Sequence, residues 1–164
     1  EENIKINQLI RKVKIRNIAI SNNKREKILF SIDKGPCNSI VDSSYKGLKE
    51  NVKVSSLDIE CFSLDPVLIK IDVEGFEENI LKGSSEILIK DSLLAIIIEG
   101  QTNKVNKILS SFGFKDFNYE PFIRKLKYCD KKTRNKIWIK KEKLEIVKQR
   151  LLQASERIIY GQIF

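Results

Sequence analysis

Histidine is absent from this chain, and with it go the usual ligand sets for zinc and any cysteine–histidine nucleophile. The three cysteines, Cys37, Cys61 and Cys129, are odd in number and widely spaced, which removes the pattern of a disulfide framework. Long apolar runs are missing too: the strongest, Leu93 to Ile98, is far too short to span a bilayer, and no secretory leader precedes it. A soluble cytoplasmic protein without membrane contact is the simplest expectation. There is no internal repeat, no low-complexity tract and no glycine-rich phosphate or nucleoside loop. The chain begins EENIKIN without methionine, and so reads as a piece of a longer protein.

What is present is a globular balance of 41% hydrophobic and 32% charged residues in 164, enough for one domain with a real core. Lysine and arginine total 31 against 22 acidic residues, a net charge of +9. Such an excess favours anionic partners, nucleic acid or phosphosugar, at low salt. The basic residues are nevertheless scattered, with few aromatics among them to stack bases, so a lysine-rich solvated surface is the better reading and a nucleic-acid partner is not expected.

Along the chain, Glu2 to Ile10 fits a short helix, Val13 to Ile20 and Lys27 to Ile32 fit strands, and Asp33 to Lys49, rich in serine, reads as loop. Val52 and Val54 suggest a further strand. Val67 to Ile71 alternates as a strand, Phe76, Ile80 and Leu81 recur at helical spacing to Gly83, and Leu93 to Ile98 is the kind of run expected of a strand covered on both faces. Strand, helix, strand at this spacing is a βαβ unit. Val105, Ile108, Leu109 and Phe112 then give a helical face ending at Gly113, with strands expected around Phe114–Phe117 and Ile137–Ile139. Leu144, Val147, Leu151, Ala154 and Ile158 form a near-heptad stripe on a last helix, read as packing on its own domain. The expected division is a main domain over residues 1–140 and a helical extension over 141–164.

The chemistry concentrates at PVLIKIDVEGFEENILKG, Pro66 to Gly83. In a doubly wound α/β sheet ligands bind outside the carboxyl ends of the strands, where Asp72, Glu74, Glu99 and Gly100 would share one rim. Asp72 closes what reads as a buried strand on the same face as Lys70. The pair can serve a substrate hydroxyl as proton acceptor, or Asp72 can cap the following helix with Lys70 as its ion-pair partner. Glu74 is either a second active-site carboxylate or an acid suited to a first helical turn. Gly75 gives room for a tight strand-to-helix turn.

LIKIDVEGFEENILKG, Leu68 to Gly83, resembles the signature of the FkbM family of S-adenosylmethionine-dependent methyltransferases. ENIKIN at Glu2, NIAIS at Asn17, VSSLD at Val54, LLAIIIEG at Leu93 and KILSSFGFK at Lys107 are similar to flanking parts of that family, so the resemblance covers roughly Glu2 to Lys140. It implies a Rossmann-like sheet with helices on both faces, its amino-terminal strands absent from this chain. It also implies S-adenosylmethionine as cofactor and methyl transfer to a hydroxyl of a sugar, glycan or secondary metabolite. By position, Asn17, Ala19 and Ile20 would lie by the adenine, with Asp72, Glu74 and Lys70 at the transfer centre. No protein metal site is implied, and assistance by Mg²⁺ is left open, as is the oligomeric state. The family's glycine-rich loop and its ribose-binding acid would precede Glu1. Two other functions stay open: a non-catalytic basic module holding an acidic glycan or nucleic acid, and methylation of RNA.

Overall fold

The computed structural model describes the chain except for residues 23–26, 34, 36–39, 74, 100–101, 121–122, 129–134, 156–157, 160–161 and 164, and except for the side chains of 27, 135, 158–159 and 162–163. In chain order the elements are α1 (Glu2–Ile6), β1 (Ala19–Ile20), β2 (Lys27–Ser31), β3 (Ile40–Val41), β4 (Lys49–Ser55), α2 (Leu57–Glu60), β5 (Leu68–Ile71), α3 (Glu77–Lys82), α4 (Ser85–Ile89) and β6 (Ala95–Glu99). They continue with α5 (Asn103–Ser111), β7 (Phe114–Glu120), β8 (Lys125–Tyr128), β9 (Asn135–Lys140), a 3₁₀ turn at Lys141–Lys143, α6 (Leu144–Gln153), β10 (Ile158–Ile159) and β11 (Gln162–Ile163).

The larger strands form two sheets instead of one. A five-stranded sheet has the order β5-β6-β9-β7-β8, in which β5 and β6 are parallel and every other pair is antiparallel. A four-stranded sheet has the order β1-β4-β2-β3, with only β1 and β4 parallel. The parallel β5–β6 pair follows from the intervening α3 and α4, which carry the chain back along the sheet. The apolar run of β6 occupies an interior position, with Ala95, Ile96 and Ile98 buried. By contrast β5 ends its sheet, and Leu68 and Lys70 on its alternate face are exposed. The reading of β5 as a buried strand is thus corrected, while its expected alternation holds: Ile69 and Ile71 turn inward and the other face is open.

Helices cover both faces of the five-stranded sheet. On one side α3, α4 and α5 supply Ile80, Leu81, Ile87, Leu88, Val105 and Leu109 to a core with Ile71, Ile96, Ile98, Phe114 and Trp138. On the other, Leu144 and Val147 of α6 pack against Ala95, Phe117 and Ile139. The α5 helix starts where Thr102 Oγ1 accepts the Val105 N–H at 3.2 Å and stops before Gly113, whose φ of +82° suits glycine. Near the carboxyl terminus the helix ends at Gln153, and Ile158 lies in β10, paired antiparallel with β11. The stripe that reached Ile158 in sequence therefore continues past the end of the helix, and residues 141–164 are only partly helical.

Candidate functional site

A cavity of about 770 Å³ lies between the two sheets. One wall is Ile69 to Val73 of β5 and its exit, closed by Gly75, Phe76 and Ile80. The facing wall is Asn17 to Ile20 at β1 together with Phe30, Ile40, Glu50 and Val52 of the β2–β3–β4 ribbon and Leu57 of α2. Its volume falls within the range of small-molecule sites, roughly 300–1,000 Å³.

Five of the residues singled out in sequence meet on this cavity: Asn17, Ala19, Ile20, Lys70 and Asp72. Glu74 lies outside the described residues, as does Gly100. Glu99, at the end of β6, does not line the cavity. The Lys70 ammonium donates to Asp72 Oδ2 at 2.5 Å, with the two side chains 58% and 46% exposed. This pair bridges residues two apart on one face of β5, as strand geometry dictates. The capping role for Asp72 is not what starts α3: that helix begins after Phe76 without a side-chain cap.

The turn from β5 into α3 is instead held by Glu77, a residue sequence reasoning passed over. Its carboxylate, 4% exposed, accepts the Gly75 N–H at 3.0 Å. Gly75 has φ +95° with open space where a Cβ would stand, so backbone conformation, not crowding, favours glycine there. At the far end of α3 the case is reversed. A Cβ on Gly83 would meet the Ser21 carbonyl oxygen at 2.4 Å, and Gly83 O also accepts the Asp58 N–H at 3.1 Å. Gly83 therefore lets the β1 end of one wall sit directly against the helix behind the other.

The ribbon residues were the larger omission. Phe30 pairs across the ladder with Ile40 on one side and Glu50 on the other, so the three form a row on one face of the ribbon. Their only signal in sequence was Phe30 within an expected strand. Of the cysteines, Cys61 is half-buried and burial pushes its thiol pKa up, while Cys37 and Cys129 lie outside the described residues. Among the described residues no group of three Cys, Asp or Glu side chains could hold a metal ion. No helix among them is long and apolar enough to cross a membrane.

The sequence profile of the methyltransferase FkbM domain matches residues 2–139. No curated protein and no solved structure matches. With the signature strand, its Lys70–Asp72 pair and the cavity they face all inside the matched span, this chain belongs to the FkbM methyltransferase domain family.

Proposed function

We propose that the chain is part of an S-adenosylmethionine-dependent O-methyltransferase acting on a hydroxyl of a sugar, glycan or secondary metabolite. The observation that carries the reading is the convergence of Asn17, Ala19, Ile20, Lys70 and Asp72 on one cavity of small-molecule size. The donor set fits such a cofactor: Ile18, Ala19 and Ile20 offer an apolar surface for an adenine, and the β5 exit offers a carboxylate beside it. When bound, S-adenosylmethionine supplies an electrophilic methyl group.

The chain's own part is to align and deprotonate. A hydroxyl is a poor nucleophile at neutral pH, so a carboxylate at hydrogen-bond distance gains most by taking its proton as the oxygen attacks. In this reading Asp72 takes that proton, and the Lys70 ammonium, which donates to Oδ2, holds the carboxylate's orientation. Glu77, through Gly75, fixes the backbone from which Asp72 projects.

We further read the two sheets as portions of one Rossmann-like sheet whose remaining strands precede Glu1. In support, β1 and β5 each end their own sheet and both border the cavity. The test is methyl transfer from labelled S-adenosylmethionine by the protein at its natural length, offered a panel of glycans and hydroxylated small molecules. Methyl incorporation is expected. Neither cofactor binding nor transfer in a folded protein would refute the reading and leave the basic binding module, whose mark is salt-sensitive association with an acidic polymer and no cofactor requirement.

A further inference from the structure

The cavity holds a second carboxylate that the motif does not contain. Glu50 is exposed, lines the cavity from the ribbon wall, and pairs with no other group among the described residues. Asp72, on the opposite wall, is already engaged by Lys70. Beside Glu50 in the same cross-strand row stand Phe30, half-buried, and Ile40, 39% exposed. Directly opposed residues of an antiparallel pair have Cβ atoms about 4.5–5.5 Å apart, so carboxylate, ring and branched aliphatic make one continuous strip.

We propose that this strip is a diol-binding subsite: Glu50 accepts hydrogen bonds from two adjacent hydroxyls of a ring whose C–H face lies on Phe30 and Ile40. An ionised carboxylate is an acceptor with two oxygens, which matches a pair of neighbouring O–H donors, and hydrogen bonds to a charged group are the stronger kind. The apolar neighbours favour a ligand with one non-polar face and exclude a small ion. The inference rests on the methyltransferase reading only for the choice of ligand. Two sources carry the required diol, the ribose of the methyl donor and a sugar acceptor.

The experiment uses the protein at its natural length, with Glu50→Gln, Glu50→Ala and Phe30→Leu variants whose folding is checked by thermal melting. Calorimetry with S-adenosylhomocysteine, and with adenosine against 2′,3′-dideoxyadenosine, reads the donor source. Ligand-observed NMR with a panel of methyl pyranosides reads the acceptor source. About a tenfold loss in Glu50→Ala for adenosine but not for its dideoxy analogue assigns the diol to the donor. A similar loss confined to one pyranoside assigns it to the acceptor, and that result stands even if the wild type binds no S-adenosylhomocysteine, which would instead defeat the methyltransferase reading. Unchanged binding of every probe in folded Glu50→Ala, or a wild type that binds none of them, overturns the proposal.

Discussion

The two walls of the cavity are built on different physics. Behind β5, the five-stranded sheet closes over a core in which Ile87, Leu88, Leu93, Ile96, Ile98 and Leu109 have no exposure. Across the gap, Val54 is the one buried apolar side chain that the four-stranded sheet contributes among the described residues, and its other buried groups are Ser31 and Ser55. Apolar burial stabilises roughly in proportion to area removed from water, so nearly all of it resides on the β5 side. The wall bearing the Lys70–Asp72 pair is anchored; the ribbon facing it has little apolar burial of its own.

Breaking the anchored side should have the largest effect. Leu88→Ala leaves a void in that core and should cost about 2–5 kcal/mol in urea unfolding, whereas Val52→Ala on the half-exposed ribbon should cost about 1 kcal/mol or less. Similar losses at both would erase the contrast. Asp72→Asn separates chemistry from stability: turnover should fall about a hundredfold or more while the melting temperature moves little, because an exposed ion pair contributes only about 0–1 kcal/mol. Equal loss of both would return Asp72 to a structural role.

Gly83→Ala tests the point where the walls meet. A methyl at 2.4 Å from the Ser21 carbonyl oxygen must push the backbones apart, at a cost of about 1–3 kcal/mol, visible in denaturant titration. Gly75→Ala, with empty space around the new Cβ but φ +95°, should cost about 1–2 kcal/mol through strain alone.

The smallest effect is acid sensitivity of the surface. Lys82 beside Glu78, Lys143 beside Asp91, the Ser55 hydroxyl followed by Arg16 at Glu60, and the Ser44 hydroxyl at Asp42 all hold their carboxyls below the ordinary range. Since the unfolded chain binds these protons more readily, their contribution is complete above the usual carboxylate pKa of about 4 and is lost as pH falls through the lowered folded values. The melting temperature should therefore drop modestly between roughly pH 5 and pH 2, less so in about 0.5 M salt for the ion-paired members.

The anchored side was also the legible side. The β5–α3 segment, the apolar run at β6, the α5 face and the strand at Ile137–Ile139 each announced themselves through a local period, and the structure places elements there. On the ribbon side local signals failed. The Ile40–Val41 strand hides in a serine-rich stretch because it is only two residues long and is secured from outside its own sequence: Asp33 accepts the Tyr45 hydroxyl at 2.7 Å and the Leu48 N–H at 3.0 Å. The strand expected from Val13 shrank to Ala19–Ile20, the part that finds a partner in β4. For the same reason the motif and its resemblance pointed to Asn17, Ala19, Ile20, Lys70 and Asp72, whereas the Phe30–Glu50 row exists only once the ladder register is set. Division into two sheets was illegible because edge pairing is decided by contacts remote in sequence.

A chain with only three prolines and seven glycines has few rigid or permissive residues with which to shape its bends, and here lysine takes over that work. Lys49 donates to the carbonyls of Ser43 and Tyr45, Lys90 to those of Phe62 and Leu64, and Lys140 to that of Lys90. These ammonium groups act as fasteners of chain reversals, although residue counting assigns them to a general positive surface. Acylating reagents that neutralise lysines should accordingly loosen the 43–49 and 61–65 bends, so that a treatment chosen merely to lower net charge would also undo chain reversals.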